Sequence, residues 1–539
     1  MKELFDKSLS RRNFLRTVAA TMAATAFDWP KMEALASTVE PKSDYPVVVI
    51  GAGIGGLVAA TYLAKNDFPV TVIEQHDVPG GYVTSFERGA FKFDVAPHYT
   101  IGLAPFLENL GIQDKVELIK PPELFRAITP DDDLILPQED PEGIIRILSE
   151  KFPHETQGIQ SFMNQLKGLL QEWVKPFDME SISSTHPIVW KLSKLNTAQV
   201  LNQHFKDPKL KAILSIFGSG FGLPPSKLPG LLFSVGTVAA IFIGREYIKP
   251  CGQRLSDALM QAIENNRGQV ILKKEAESIL TKDGSVVGVK TIDGKTYPAK
   301  AVISNASAPI TFEKMLFPKL VPDSYLAKLR TYRPSHSYFL VWLGLNQELL
   351  GKFKTFQNVL IPDHYDPEAD GEATSACDAS QARFQVYIYD TLFPGYSKPG
   401  KSTVKILMQS GYRPWKHFEA DYFAYKKEAY RKEKNRIAQI LIERTEKLVI
   451  PGLRSMVEVM EAATPLTHLR YTKNPEGAAL GYEHSMDNYW IYRNKNRTPI
   501  EGLYLASAWG SPGGGVNPVI RGGQSAFKDL MEDWWKKTG

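Results

Sequence analysis

Short apolar runs that end in glycine or small polar residues recur along this chain, separated by longer stretches with helical spacing. Val47-Val48-Val49-Ile50 runs into Gly51, Ala301-Val302-Ile303 into Ser304-Asn305-Ala306, and Leu503-Tyr504-Leu505 into Ala506-Ser507. Unbroken β-branched runs of this length bounded by turn residues predict buried strands of a parallel sheet. Leu255 to Asn265 and Gly523 to Lys537 carry apolar residues at helical spacing and predict amphipathic helices. Val270–Leu272, Ser278–Leu280 and Val286–Val289 predict short strands, with turns at Asp283-Gly284 and Asp293-Gly294. Residues 106–250 read as mostly helical with proline breaks, whereas Ser337–Leu343 and Phe384–Tyr389 alternate like sheet strands. A charged helix is expected from about Phe418 to Lys447, its charges forming a solvated face.

The α/β signals fall into three separated blocks. They predict one dinucleotide-binding domain built from residues 44–105, 245–310 and 460–539, and a second, α+β substrate domain of 106–244 and 311–459 inserted twice. About 500 residues are too many for one core. A composition of 43% hydrophobic and 23% charged residues excludes a disordered chain. The net charge is +5, part of it in residues 1–36, and the remainder is too small to argue for nucleic acid. The two cysteines, Cys251 and Cys377, form no CxxC and no metal-ligand spacing. In an oxidising compartment they can pair only if the fold brings them together.

The first glycine cluster carries the clearest chemistry. In Gly51-Ala52-Gly53-Ile54-Gly55-Gly56, the first glycine permits a tight turn and the second allows close approach to a pyrophosphate. The third lets helix and strand pack closely, and the helix N-terminus directs its N–H groups and dipole at the phosphates. Glu74 closes the next strand, Val70–Ile73, where a carboxylate accepts from ribose hydroxyls. A second cluster is Pro79-Gly80-Gly81-Tyr82, followed by Phe93-Asp94 and His98. A third, Pro512-Gly513-Gly514-Gly515-Val516, leads from a buried strand into a helix, where N–H groups can meet phosphates, ribityl chain or the pyrimidine end of a flavin.

Three further residues are candidates for catalysis. His98 reads as a proton donor or acceptor or as a structural histidine, and Trp509 as a stacking platform or core filler. Arg521 reads as an anchor for a carboxylate, a helix cap or a phosphate contact. The apolar run Leu231 to Ile243 is 13 residues, too short to span a bilayer. It reads as a buried core helix, or as a channel wall or peripheral membrane contact.

The N-terminal 36 residues predict a targeting segment. Ser10-Arg11-Arg12-Asn13-Phe14-Leu15 is a twin-arginine pattern, an apolar stretch runs from Val18 to Phe27, and Ala34-Leu35-Ala36 offers a cleavage site before Ser37. The expectation is export to the periplasm or the outer face of the membrane, with the leader cleaved or kept as an anchor. Twin-arginine export carries folded proteins, which suits a chain loaded with its cofactor beforehand.

Together the three glycine clusters, with Phe93-Asp94-x-x-x-His98, resemble the phytoene desaturase, carotenoid isomerase and retinol saturase group, FAD enzymes of the amine-oxidase-like superfamily. The resemblance covers nearly all the chain beyond the leader. It implies a two-domain Rossmann-type FAD-binding fold of the glutathione-reductase or amine-oxidase kind, with Glu74 on the adenosine ribose. Gly51, Gly53 and Gly55, with Ile54 and Gly56 opening the helix, would hold the diphosphate. Gly80 and Gly81 would line the flavin, Ala276 or Glu277 would meet the adenine through backbone, and Gly515 and Val516 would lie by the isoalloxazine. Thr464-Pro465 is similar to the group's segment near the ring. The sequence departs from the group at Tyr82, where arginine is common, at Gly477-Ala478-Ala479-Leu480-Gly481, at Ala508-Trp509, and at polar Asn517 and Arg521. These departures bear on the substrate rather than the cofactor. The implied function is oxidation, reduction or isomerisation of C=C bonds in a long apolar partner: a carotenoid, a retinoid-like polyene or an unsaturated fatty acid. An amine or amino-acid oxidase on the same fold, and a non-catalytic flavin-containing lipid-binding protein, are the rival readings.

Overall fold

Five strands from distant parts of the chain form one parallel sheet, in the order Gln269–Ile271, Val70–Ile73, Val47–Ile50, Ala301–Ser304, Leu503–Leu505. The computed structural model describes residues 44–96, 99–175, 180–317, 320–362, 364–489 and 492–538. The twin-arginine leader, its cleavage site and His98 lie outside the described residues.

The central strand alternates its side chains between two cores. Val47 and Val49 pack against the helices Ile54–Lys65, Gln253–Asn265 and Val516–Thr538. Val48 and Ile50 pack toward the antiparallel strands Ala276–Lys282 and Ser285–Thr291. Coverage of both faces explains why these strands read as unbroken apolar runs. The C-terminal helix begins at Val516, not at Gly523 as its periodicity predicts. Gly522 and Gly523 are accommodated inside it because the helix presses against Ile54–Lys65 at Gly523, where a side chain would strike the carbonyl of Gly55. Tyr62 and Phe527 stack across the same interface at 5.4 Å.

The rest of the chain builds a seven-stranded sheet in the order Val457–Ala463, Ser337–Leu345, Ser402–Ser410, Phe384–Ile388, Gln357–Leu360, Glu123–Ile128, Asp133–Pro137. Its pairings are antiparallel except Gln357–Leu360 with Glu123–Ile128. The strands expected to alternate are instead buried along nearly their whole length. Phe339 and Val341 face the helix Glu428–Leu448, while Leu340 and Trp342 enter an aromatic cluster with Phe93 and Tyr247. That helix starts ten residues later than the charge pattern predicts; a short helix, Glu419–Phe423, precedes it. The block 106–250 is not purely helical, since it contributes the strands Glu117–Ile119, Glu123–Ile128, Asp133–Pro137 and Glu246–Lys249. Leu231–Ile243 lies in a helix, Gly230–Val238, and the turn that extends it; Leu231, Phe233 and Val238 are buried, whereas Leu232, Val235 and Ala239 keep partial exposure. Among the described residues no helix is long and apolar enough to cross a membrane. Cys251 and Cys377 are both buried and free.

Candidate active site

The glycine turn after Val47–Ile50 is held from both sides. Gly51 donates its N–H to Ile73 O at 2.8 Å. The buried Glu74 carboxylate accepts from the N–H of Ala52 at 2.7 Å and of His76 at 2.9 Å. Helix Ile54–Lys65 starts from Gly53 without a side-chain cap, and its first bond runs from Leu57 N–H to Gly53 O. The N–H groups of Ile54, Gly55 and Gly56 therefore have no partner within the helix. Uncapped donors at the positive end of a helix dipole, beside a buried carboxylate, fit a diphosphate and a ribose. Gly55 is required by a close approach: a Cβ there would lie under 3.0 Å from the carbonyl oxygen of Ala506, a backbone atom with no freedom to retreat.

Sequence reasoning missed Asn305, which braces this turn. Its side-chain amide donates to Ala506 O at 2.9 Å and accepts from Gly53 N–H at 3.1 Å. A side chain at Gly53 would collide with that amide, and Gly56 is closed in by Gly51 O. The signal was an asparagine at the end of a parallel strand adjacent to the glycine turn.

The second glycine cluster lies against the first. Gly80 donates to Ala52 O at 2.7 Å, and its φ of +121° suits glycine alone. Gly81 stands over the Cα of Gly53. Tyr82 then reaches away, its hydroxyl donating to Ala478 O at 3.4 Å and its ring tilted against His468 at 5.6 Å.

In the third cluster, Gly513 backs onto His484 and Arg493, and Gly514 onto the backbone of Leu480. Gly515 has φ +110° and leads directly into Val516, the first residue of the C-terminal helix. Asn517 ties that helix to the segment after His98, donating to Ile101 O at 2.7 Å and accepting from its N–H at 3.2 Å. Arg521, one turn further on, makes no ion pair among the described residues, and burial lowers its pKa. Trp509 is fully buried: its indole N–H donates to Asn474 at 3.0 Å and its ring meets Tyr482 edge-on at 4.7 Å. Glu277 sits at the start of an exposed ladder, its carboxylate paired with Lys290 at 2.7 Å. The first two glycine clusters and Glu74 thus lie in contact, and Val516 opens the helix that follows the third, while the Glu277 side chain points to solvent and Trp509 into the core.

Beside the second and third clusters is an uncharged aromatic wall. Ala479 donates to His336 O at 3.0 Å, and the His336 ring lies against Gly222 and edge-on to Tyr338 at 5.0 Å. Both His336 ring nitrogens are buried without a hydrogen-bond partner among the described residues. Burial pulls His336 and His468 down to about 4, so both are neutral at pH 7. Burial likewise pushes Tyr82 and Tyr338 far above the usual phenol range. Tyr82, His336 and Tyr338 nevertheless keep part of their surface accessible. Phe221 extends the wall to His484 at 5.7 Å.

Further inside, the fully buried Lys405 ammonium lies 5.3 Å from the ring centres of both Tyr387 and Tyr389 and 3.5 Å from Asp94 O. The Asp94 carboxylate accepts from Ser85 at 2.6 Å, Tyr247 at 2.5 Å and Gly252 N–H at 3.1 Å.

Three glycine clusters around a parallel sheet, with a buried carboxylate at the end of its second strand, define a two-domain dinucleotide-binding fold. The chain belongs to the flavin containing amine oxidoreductase family, whose model matches residues 54–530. It is 25% identical over 523 residues to prolycopene isomerase 2 of an Oncidium hybrid, covering 90% of this chain and 84% of that protein. It is 25% identical over 494 residues to the neurosporene-forming phytoene desaturase of Rhodobacter capsulatus, covering 88% and 92%. Among solved structures, an oxidoreductase from Methanosarcina mazei superposes with a TM-score of 0.63 at 20% identity, over 90% of this chain and all of that one. The chain is an FAD-dependent oxidoreductase, and its cofactor is FAD.

Glu74→Ala removes the acceptor of two backbone N–H groups together with the carboxylate expected at the ribose. The expected result is at least a tenfold weaker hold on FAD, read from the flavin absorbance left after gel filtration. Full occupancy would contradict the ribose assignment.

Proposed function

We propose that this protein oxidises, reduces or isomerises C=C bonds of a long apolar polyene or lipid. The observation that carries the reading is the wall of Tyr82, Phe221, His336 and Tyr338 beside the glycine clusters. Its histidine is neutral, and it offers no carboxylate to hold an ammonium substrate. Prolycopene isomerase and phytoene desaturase, by their names, act on such polyenes, which supports the same class. The bound flavin supplies hydride transfer. The chain's own residues keep water out along the aromatic wall, align the polyene by packing, and hold neutral groups where a charge would repel it. His98 is the proposed proton donor or acceptor and Arg521 the proposed anchor, whereas Trp509, enclosed in the core, takes the core-filling role rather than a stacking one. Partly exposed Leu232, Val235 and Ala239 are proposed to line the channel, with a peripheral membrane contact as the source of substrate. The twin-arginine pattern makes export to the periplasm or the outer face of the membrane part of the proposal; fractionation that finds the protein with the cytosol would remove it.

The test is anaerobic incubation of the FAD-loaded protein with polyenes, with and without prior reduction, followed by chromatography. A product with altered geometry or one double bond more or fewer is expected, and His98→Ala should slow its formation at least tenfold with FAD retained. Unchanged polyenes, or rapid peroxide release with amines under oxygen, would sink the reading.

A further inference from the structure

Arg493 is buried to 2% exposure and bonds only to backbone carbonyls. It donates to Gly510 O at 2.8 Å, Ala508 O at 2.9 Å, Tyr482 O at 3.1 Å, Asn488 O at 3.3 Å and Glu483 O at 3.4 Å. These acceptors satisfy its N–H groups without cancelling its charge. No carboxylate pairs with it among the described residues. A buried charge with no counter-charge is costly, and the cost falls when an anion arrives nearby. Burial lowers its pKa to about 10, so it remains a cation at neutral pH.

Its position shows where that anion would be. The guanidinium lies directly behind Gly513: a Cβ there would meet its central carbon at 3.0 Å. Only a peptide's thickness separates the charge from the far side of the glycine run. Two of its acceptors, Ala508 and Gly510, belong to the segment that feeds this run, and the run opens the C-terminal helix, whose dipole has the same sign. Among the titratable groups around it are His484, kept neutral by burial, the phenols of Tyr482 and Tyr332, and Glu483, whose carbonyl it holds and whose carboxyl burial keeps above the usual carboxylate range. Away from water such a charge is weakly screened.

We propose that Arg493 is the fixed positive charge that stabilises the negative charge FAD gains at its pyrimidine end on reduction, and thereby raises its potential. The inference rests on the FAD reading above. The reduction it favours adds two electrons and one proton, leaving one negative charge for the guanidinium to oppose.

Dye-equilibrated titration of FAD-loaded Arg493→Gln and Arg493→Lys tests it. Arg493→Gln should shift the reduced-to-oxidised ratio at a fixed poise at least tenfold toward oxidised, about 30 mV for a two-electron couple. Arg493→Lys, which keeps the charge, should stay within about threefold of wild type. An unchanged potential in Arg493→Gln, with FAD held more weakly in both redox states, would assign the residue to the diphosphate or to folding and overturn the proposal. Should Arg493→Gln fail to fold, proton uptake by the wild-type protein decides: one proton per two electrons at about pH 5.5, where free reduced flavin takes up two, supports the proposal, and two overturn it. A wild-type protein that takes up no flavin overturns both this proposal and the reading beneath it.

Discussion

Alanine at Gly55 is expected to give a colourless and unstable protein. The added methyl would lie under 3.0 Å from Ala506 O, and the same residue's own carbonyl is where Gly523 of the C-terminal helix makes its closest approach. Neither neighbour can rotate away, because both are backbone. Ile54–Lys65 would have to lift from the sheet, losing its contacts with the strand end at Ala506 and with the C-terminal helix. Overpacking of a close backbone contact costs about 1–3 kcal/mol. The N–H groups at the helix start would move with it, so FAD occupancy should fall at least tenfold. Denaturant unfolding and the ratio of flavin to protein absorbance measure the two effects. Gly89→Ala is the control: its backbone is left-handed (φ +57°), unlike that of helical Gly55, and a Cβ there meets nothing within 4 Å. It should lose only the modest backbone cost and keep its FAD. Equal loss in the two variants would show that the close approach to Ala506 O is not what matters at Gly55.

The second large effect is a pH dependence of stability set by Lys405. Burial lowers its pKa from 10.5 to about 7, against a smaller opposing effect of Asp94. Between these values the unfolded chain carries a proton at this site that the native protein has released. Stability should therefore rise with pH from about 7 toward 10.5, by at most roughly 1.4 kcal/mol per unit, and the full penalty should stand below pH 7. Lys405→Met keeps the length of the side chain and removes the charge. Asp94 would not be stranded, since Ser85, Tyr247 and Gly252 already donate to its carboxylate. The variant should be more stable than wild type at pH 6, with the difference closing by pH 10. Urea unfolding of both proteins across that range isolates Lys405 from the other groups that titrate there. Parallel curves for the two proteins would show that the lysine stays charged when folded, compensated by Asp94 and the faces of Tyr387 and Tyr389.

The strand–glycine–helix unit with its acidic partner was legible because its causes are local. A left-handed turn, a run of β-branched residues and a helix start are all written within about thirty residues, Val47 to Glu74. The second and third glycine clusters could be recognised for the same reason. Asn305, Arg493 and Lys405 could not, because each acts on residues far away in the chain. Asn305 spans from Gly53 to Ala506, Arg493 collects carbonyls from 482 to 510, and Lys405 meets Asp94 more than three hundred residues before it. Nothing in a lysine's immediate neighbours announces that it will be enclosed by tyrosines.

By itself, the amino-acid sequence determined the kind of cofactor site and the class of fold, since local sterics and hydrophobic period dictate both. Which faces of the second sheet are covered, where the C-terminal helix begins and which polar side chains brace the glycine turns were decided only by tertiary packing. Those outcomes depend on what lies opposite each residue in space: a glycine such as Gly523 belongs in a helix here because another backbone presses against it.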